Sequence, residues 1–306
     1  GSMIKSATGA DLYVESVGPP GLPTIVLTHG WSLDSTIWFY ARRDLLREFR
    51  VVSWDLPGLG KSREGAPSGI DLAEFARDLR SVVEWTEAPE VVLVGHSIGG
   101  MTIQTLARDM PDFFNQRVAG AVLLNTTYTN PLKTMIASGL AQAIRWPLLE
   151  PIMRLMIVLQ PLVWLGAWQS YFSGSAHLAN RLGFGKFVTR SQLEHATLLS
   201  TRNAPGNIMR GNLAMFRWDA TGAVAKVARP LLVIGGEVDI VTLPAAGAGI
   251  AASAPRAQYR PVEGVNHLGF LEQSSVYDAE IARFARACLA PQSPSPSMVA
   301  PAPRTA

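Results

Sequence analysis

The segment that most constrains this chain is Gly95-His96-Ser97-Ile98-Gly99. It joins the unbroken apolar run Val91–Val94 to a stretch from Ile98 to Met110 whose apolar residues recur at threes and fours. A buried strand that turns at once into a helix needs a sharp reversal, and glycines at 95 and 99 remove side chains where that turn is tightest. Ser97 is thereby expected at strained backbone angles, its hydroxyl presented above a sheet edge. That is the arrangement of a nucleophile elbow.

A serine hydroxyl at neutral pH needs a base, and the base needs a carboxylate to orient it. Asp239 follows the run Leu231–Ile234 in LLVIGGEVD, just beyond a predicted strand's carboxyl end. His267 comes 28 residues later in EGVNHLGFLE, after a further strand expected at Ala257–Val262. Ser97, Asp239 and His267 are therefore the predicted catalytic set, in that chain order. Ile98 N–H, directly after the nucleophile at a helix start, is the first candidate donor to a developing oxyanion.

The rest of the chain alternates in the same way. Thr24–Thr28, Val51–Trp54 and Val118–Leu124 read as strands buried on both faces, and Met3 to Val17, interrupted at Gly9, as an antiparallel opening hairpin. Helical periodicity covers Thr36–Glu48, Leu72–Thr86 and Val276–Leu289, which are the crossovers of a mostly parallel sheet flanked by helices. With 48% apolar and 17% charged residues in 306, most of the chain is expected to fold around a large core. The exception is 291–306, rich in Pro, Ser and Ala and expected to be a disordered tail.

From about Tyr128 to Trp218 the alternation stops. This segment has few strand signals and several prolines. Its helical runs include Ser191–Ser200, where Ser191 and Glu194 have the spacing of a capping box. It also holds nine basic and two acidic residues, a net charge of +7, while the remaining chain carries −4. Such a distribution argues against a nucleic-acid-binding protein, whose basic face would not be confined to one insertion. We expect a helical cap at 128–218, inserted after the sixth strand into a core of 1–127 and 219–290. Its Trp146, Trp164, Trp168 and Met156, together with Met215, are candidate contacts for an apolar substrate. From Leu155 to Phe172 it has 18 residues without a charge, but Gln160, Pro161, Gly166 and Gln169 interrupt them. A membrane crossing there would also separate Ser97 from Asp239, so only peripheral contact of the basic, apolar cap with a membrane is consistent with one catalytic sheet.

The motifs TIVLTHGW, VVSWDLPGLGKS, VVLVGHSIGG, LLVIGGEVD and VEGVNHLGFLE occur in order from about Met3 to Leu289. In this the chain resembles the α/β-hydrolase superfamily, specifically its cap-bearing serine esterase and lipase-like members. The resemblance implies the α/β-hydrolase fold and hydrolysis of a carboxylic ester or related acyl bond through an acyl-enzyme. It implies a second oxyanion donor at Trp31 N–H, with the Trp31 ring walling the acyl pocket, and a His29 that holds its loop. No cofactor, metal or nucleic acid is implied. The same fold also hosts lactonases, carbon–carbon bond hydrolases, perhydrolases, cofactor-free oxygenases and non-catalytic ligand-binding members, which stand as alternatives.

The other titratable groups are expected to be structural. His96 belongs to packing beside the nucleophile, His177 and His195 to the cap, and Asp55 to a loop whose glycines lack the phosphate-binding spelling. A single cysteine, Cys288, permits no internal disulfide. Gly1-Ser2-Met3 reads as a cleaved-tag remnant with no signal-type run behind it, so a cytoplasmic location is expected.

Overall fold

The computed structural model describes residues 1–65 and 70–290. The tail expected from residue 291 lies outside them. Eight strands form one sheet: β1 (Ser2–Lys5), β2 (Asp11–Val17), β3 (Thr24–Thr28), β4 (Arg50–Trp54), β5 (Val91–His96), β6 (Val118–Leu124), β7 (Leu231–Gly236) and β8 (Ala257–Val262). Their spatial order is β1-β2-β4-β3-β5-β6-β7-β8. β1 and β2 are antiparallel, β2 pairs antiparallel with β4, and every later pairing is parallel.

Alternation along the strands explains why both faces are covered. In β3, Ile25 and Leu27 join one core while Val26 joins the other; in β5, Val92 and Val94 face away from Val91 and Leu93. Each fully buried aliphatic side chain contributes about 1.5–3 kcal/mol, so a helix is held on whichever face its apolar stripe meets. Helices α2 (Leu72–Trp85) and α3 (Ile98–Asp109), followed by the short α4 (Pro111–Arg117), pack on the face of Val26, Val91 and Leu93. On the face of Ile25, Leu27, Val92 and Val94 lie α1 (Phe39–Leu45) and the C-terminal α13, which spans Ser274–Leu289.

Between β6 and β7 run α5 (Ser138–Ile144), a π-helical turn at Arg145–Leu149, α6 (Glu150–Val158), α7 (Gln160–Ser173), α8 (Ser175–Arg181), α9 (Arg190–Arg202) and α10 (Pro205–Arg217). The insertion after the sixth strand is thus helical, and it is layered. Inner α9 joins one core through Ala196 and Leu199, and α10 joins the other through Ala214 and Met215. Outer α6 packs on α10, with Met153 and Ile157 against Leu213 and Phe216, while α7 packs on α8 and α9. After β7 come α11 (Pro244–Ser253) and, past β8, the single turn α12 (Gly269–Glu272).

Two local expectations change, and a third, the interrupted uncharged run, holds. The first crossover begins as a 3-10 turn at Ser35–Trp38, because the Asp34 carboxylate caps Thr36 N–H and starts the winding early. The capping box of α9 is Thr189 with Gln192, not Ser191 with Glu194: Thr189 Oγ1 accepts from Gln192 N–H and the Gln192 side chain accepts from Thr189 N–H. Glu194 instead accepts from Tyr171 and pairs with His177, so it is unavailable to a cap. Finally, the uncharged run 155–172 is broken at Leu159, where the α5–α6 rod and α7 meet at 100°. No single described helix is long and apolar enough to cross a membrane.

Candidate active site

The parallel strands carry their carboxyl ends to one edge, and Ser97, Asp239 and His267 gather there. Ser97 has φ 53° and ψ −115°, the strained geometry expected of the turn. Close approach explains its two glycines: a Cβ at Gly95 would meet the Gly99 backbone, and one at Gly99 would meet the Thr28 carbonyl. The turn is held by Ser97 N–H donating to the Leu124 carbonyl at 3.0 Å and Thr126 Oγ1 donating to the Ser97 carbonyl at 2.6 Å. A position costing on the order of 1–3 kcal/mol persists only when its surroundings over-determine it in this way.

His267 Nε2 lies 3.0 Å from Ser97 Oγ, and His267 Nδ1 lies 3.0 Å from Asp239 Oδ2. With Asp239 ionised, the Nδ1–H tautomer is favoured, and the Nε2 lone pair faces the serine proton. Asp239 is buried. Its Oδ1 accepts from Val241 and Thr242 N–H, both at 2.9 Å, and its Oδ2 accepts from Thr242 Oγ1 at 2.8 Å and Asn125 Nδ2 at 3.1 Å. Burial works to raise the Asp239 pKa, but His267, the Thr242 amide and Asn125 outweigh it and bring it down to about 2.

Asn125, Thr242 and Asn266 complete the arrangement and were missed in the sequence. Asn125 Oδ1 accepts from Tyr277 Oη at 2.8 Å, and Asn125 Nδ2 also donates to the Asn266 carbonyl. Asn266 Oδ1 accepts from His267 N–H, while its Nδ2 donates to the Leu182 carbonyl and ties the histidine loop to the insertion. The one available signal was position: Asn125 directly follows the apolar run of β6.

Both predicted oxyanion donors stand beside Ser97 in sequence or cavity. Neither the Trp31 nor the Ile98 N–H donates to any atom of the described residues. Ile98 opens α3, where the orphaned amides and the helix dipole favour negative charge. The Trp31 indole is fixed by Nε1–H donating to the Ile208 carbonyl at 2.9 Å and by close packing on Gly211 of α10.

A cavity of about 540 Å³ sits over Ser97 and His267. Its walls are mostly apolar and include Trp31, Met101, Leu132, Met135, Met215 and Phe216. Of the predicted substrate contacts, Trp31 and Met215 line it; Trp146, Trp164, Trp168 and Met156 do not. Met156 is on α6 and Trp164 and Trp168 on α7, which pack on the cavity-lining α10 and α9 respectively, and Trp146 is on the π-helical turn before α6. Trp164 Nε1–H donates to the Thr201 carbonyl and fastens α7 to α9, Trp168 stacks on Phe172, and Trp146 lies under the Arg145 guanidinium. A cavity of about 630 Å³ at the strands' amino ends, beside Arg50, Glu87 and Arg229, contains none of the predicted site residues.

The remaining histidines take other roles. His29 Nδ1–H donates to the Gly30 carbonyl and its Nε2 accepts from Leu56 N–H, with burial lowering its pKa. His96 Nε2–H donates to the His267 carbonyl, and burial brings its pKa to about 3. Both are neutral supports. His195 reaches Thr36 Oγ1 and His177 reaches Glu194, away from Ser97. Asp55 accepts from Ser35 and Lys61 N–H and holds its loop. Among the described residues no group of three or more His, Cys, Asp or Glu side chains is placed to hold a metal ion.

The chain is similar to known proteins over most of its length. Residues 25–283 match the family described as alpha/beta hydrolase. A pimeloyl-[acyl-carrier protein] methyl ester esterase of Nitrosospira multiformis is 28% identical over 286 residues, covering 90% of this chain and 98% of its own. Among solved structures, a thermophilic esterase of Thermogutta terrifontis superposes with a TM-score of 0.71 at 23% identity, covering 94% of this chain and 98% of its own. An enol-lactonase of Burkholderia xenovorans gives 0.70 at 19% identity, covering 92% and 99%.

Proposed function

Because the chain belongs to the alpha/beta hydrolase family, we propose that it is a serine esterase acting on a carboxylic ester with a predominantly apolar acyl part. The observation that carries this reading is the continuous relay from Ser97 Oγ through His267 to Asp239, with both links at 3.0 Å. In the first half-reaction Ser97 Oγ attacks the ester carbonyl while His267 Nε2 takes its proton. The oxyanion is met by the Trp31 and Ile98 amides, a contribution of several kcal/mol in comparable sites. His267 then returns the proton to the leaving alcohol, and water repeats the sequence on the acyl-serine. Asp239, kept ionised, orients the imidazole and stabilises its positive charge.

The apolar walls of the cavity support an aliphatic or aromatic acyl group, and the esterase name of the 28% identical relative supports ester chemistry. Residues 128–218 serve in this reading as a cap over a catalytic core of 1–127 and 219–290. The test is turnover of chromogenic esters by the parent and Ser97→Ala, with mass spectrometry after a fluorophosphonate probe. We expect the probe on Ser97 and a fall in kcat of about 10³-fold or more in the variant. Equal rates in the two proteins would overturn the proposal, and turnover confined to lactones would move it to that alternative.

A further inference from the structure

The outer helices of the insertion present apolar side chains that nothing else in the described chain covers. No residue of α5, α7 or α8 is buried, and in α6 only Glu150 is. Yet α7 reads QPLVWLGAWQSYFS, without a charge. Val158 at the end of α6, Leu162, Leu165 and Phe172 on α7, and Leu178 and Leu182 around α8 are each between 66% and 78% exposed. A helix that is apolar around its circumference is normally enclosed by protein or by lipid, and clustered exposed apolar side chains mark an interaction surface.

We propose that this face docks onto an anionic lipid bilayer, lying in its interface without crossing it. A single crossing is excluded by topology: β6 and β7 are hydrogen-bonded neighbours, so the insertion leaves and re-enters the same sheet edge. The 100° bend at Leu159 keeps α6 and α7 from forming one span. Charge decides between lipid and a second copy of the chain. On the outer elements themselves, residues 138–182, the three basic residues Arg145, Arg154 and Arg181 stand against one acidic residue, Glu150, which is buried against Arg145. Self-pairing would set this basic surface against itself, whereas anionic headgroups complement it. Arg154 is four residues from Val158 and Arg181 three from Leu178, so both share helix faces with the apolar side chains and reach headgroups while their stems lie along them.

The face also borders the active site. Ala179, Asn180 and Leu182 line the cavity over Ser97, and Leu182 is at the same time 68% exposed, which places it at the rim. An acyl chain in the bilayer therefore meets the site beside Leu182. Docking itself does not rest on the esterase reading, because it is measured without turnover.

The experiment is co-sedimentation of the full-length Ser97→Ala protein with phosphatidylglycerol-containing and pure phosphatidylcholine vesicles, at low and high salt. We expect binding to the anionic vesicles that salt weakens. Leu162→Ser/Leu165→Ser/Phe172→Ser should bind about tenfold or more weakly, and Arg154→Gln/Arg181→Gln should lose the preference for anionic lipid. Trp146, 64% exposed beside the exposed Leu148, supplies a second readout that needs no altered surface. Its emission should shift to the blue and be quenched by brominated lipid, and the change should vanish in Trp146→Phe. No binding or quenching with anionic vesicles would overturn the proposal. So would undiminished binding by the folded triple variant, or a solution dimer that the triple variant dissociates.

Discussion

Asn125, at the end of β6, donates through Nδ2 to Asp239 Oδ2 at 3.1 Å, while its Oδ1 accepts from Tyr277 Oη at 2.8 Å. A buried tyrosine of α13 is thereby linked through one amide to the carboxylate that orients His267. Asn125 touches no reacting atom; it is a positioning residue.

Replacing Asn125 by Ala leaves the Tyr277 hydroxyl and the Asn266 carbonyl without this partner in the interior, which costs about 1–3 kcal/mol. It also raises the Asp239 pKa. Because the folded value of about 2 lies below the ordinary 3.8, Asp239 contributes stability that is present above the ordinary value and is lost as pH falls toward 2. The stability gap between parent and Asn125→Ala, followed by urea unfolding against pH, should therefore be full at neutral pH and narrow across that interval. A gap independent of pH would mean that Asn125 does not act through Asp239.

Gly211 lies under the Trp31 indole, and a Cβ built there overlaps the ring. Ala in a helix interior is favoured over Gly by about 1 kcal/mol. Here overpacking, at about 1–3 kcal/mol, should win because the Nε1–Ile208 bond holds the ring in place. Gly211→Ala should lower both the melting temperature and kcat/KM. In a Trp31→Leu background the same change should raise the melting temperature, a reversal that a double-mutant cycle reads directly.

Met215 lines the cavity from α10. Met215→Trp should fill space that a long acyl chain needs while leaving room for acetyl. Across a p-nitrophenyl ester series, kcat/KM on long chains should fall about tenfold or more relative to acetate. A uniform loss at every chain length would place the acyl group elsewhere.

Asp278 on α13 is buried, and its Oδ2 has no hydrogen-bond partner among the described residues. Burial, and then the neighbouring charge of Asp44 on α1, push its pKa up to about 8. A carboxyl raised in the folded state costs stability as pH climbs from its ordinary value toward the folded one. Asp278→Asn should therefore stabilise the protein above pH 8, by at least about 1 kcal/mol, with the gain fading toward pH 4. Thermal melts of both proteins across that range provide the check, and an equal gain at every pH would refute it.

The strand–turn–helix around Ser97 was legible in the sequence because its causes are local. A β-branched run can be extended and buried, Gly95 and Gly99 tolerate the close approach of Thr28 and of each other, and the periodicity of α3 begins at once. The order Ser97, Asp239, His267 was legible for a related reason: each residue follows a predicted strand, apolar for the first two and the more exposed Ala257–Val262 for His267, and parallel strands bring such positions to one edge. Asn125 and Thr242 follow apolar runs too, but nothing in an asparagine or a threonine distinguishes a carboxylate partner from a turn residue.

The insertion marks where local reasoning stops. Its helices were readable from composition, but in α7 apolar residues fall on nearly every face, so periodicity carries no direction there. Trp31 and Met215 reach the cavity whereas Trp146, Trp164, Trp168 and Met156 do not, because α9 and α10 occupy the inner layer. That layering depends on how helices distant in sequence compete for the same two cores. Side-chain type determined that this segment would be apolar and basic; only tertiary packing decided which of its surfaces meets Ser97 and which meets the surroundings.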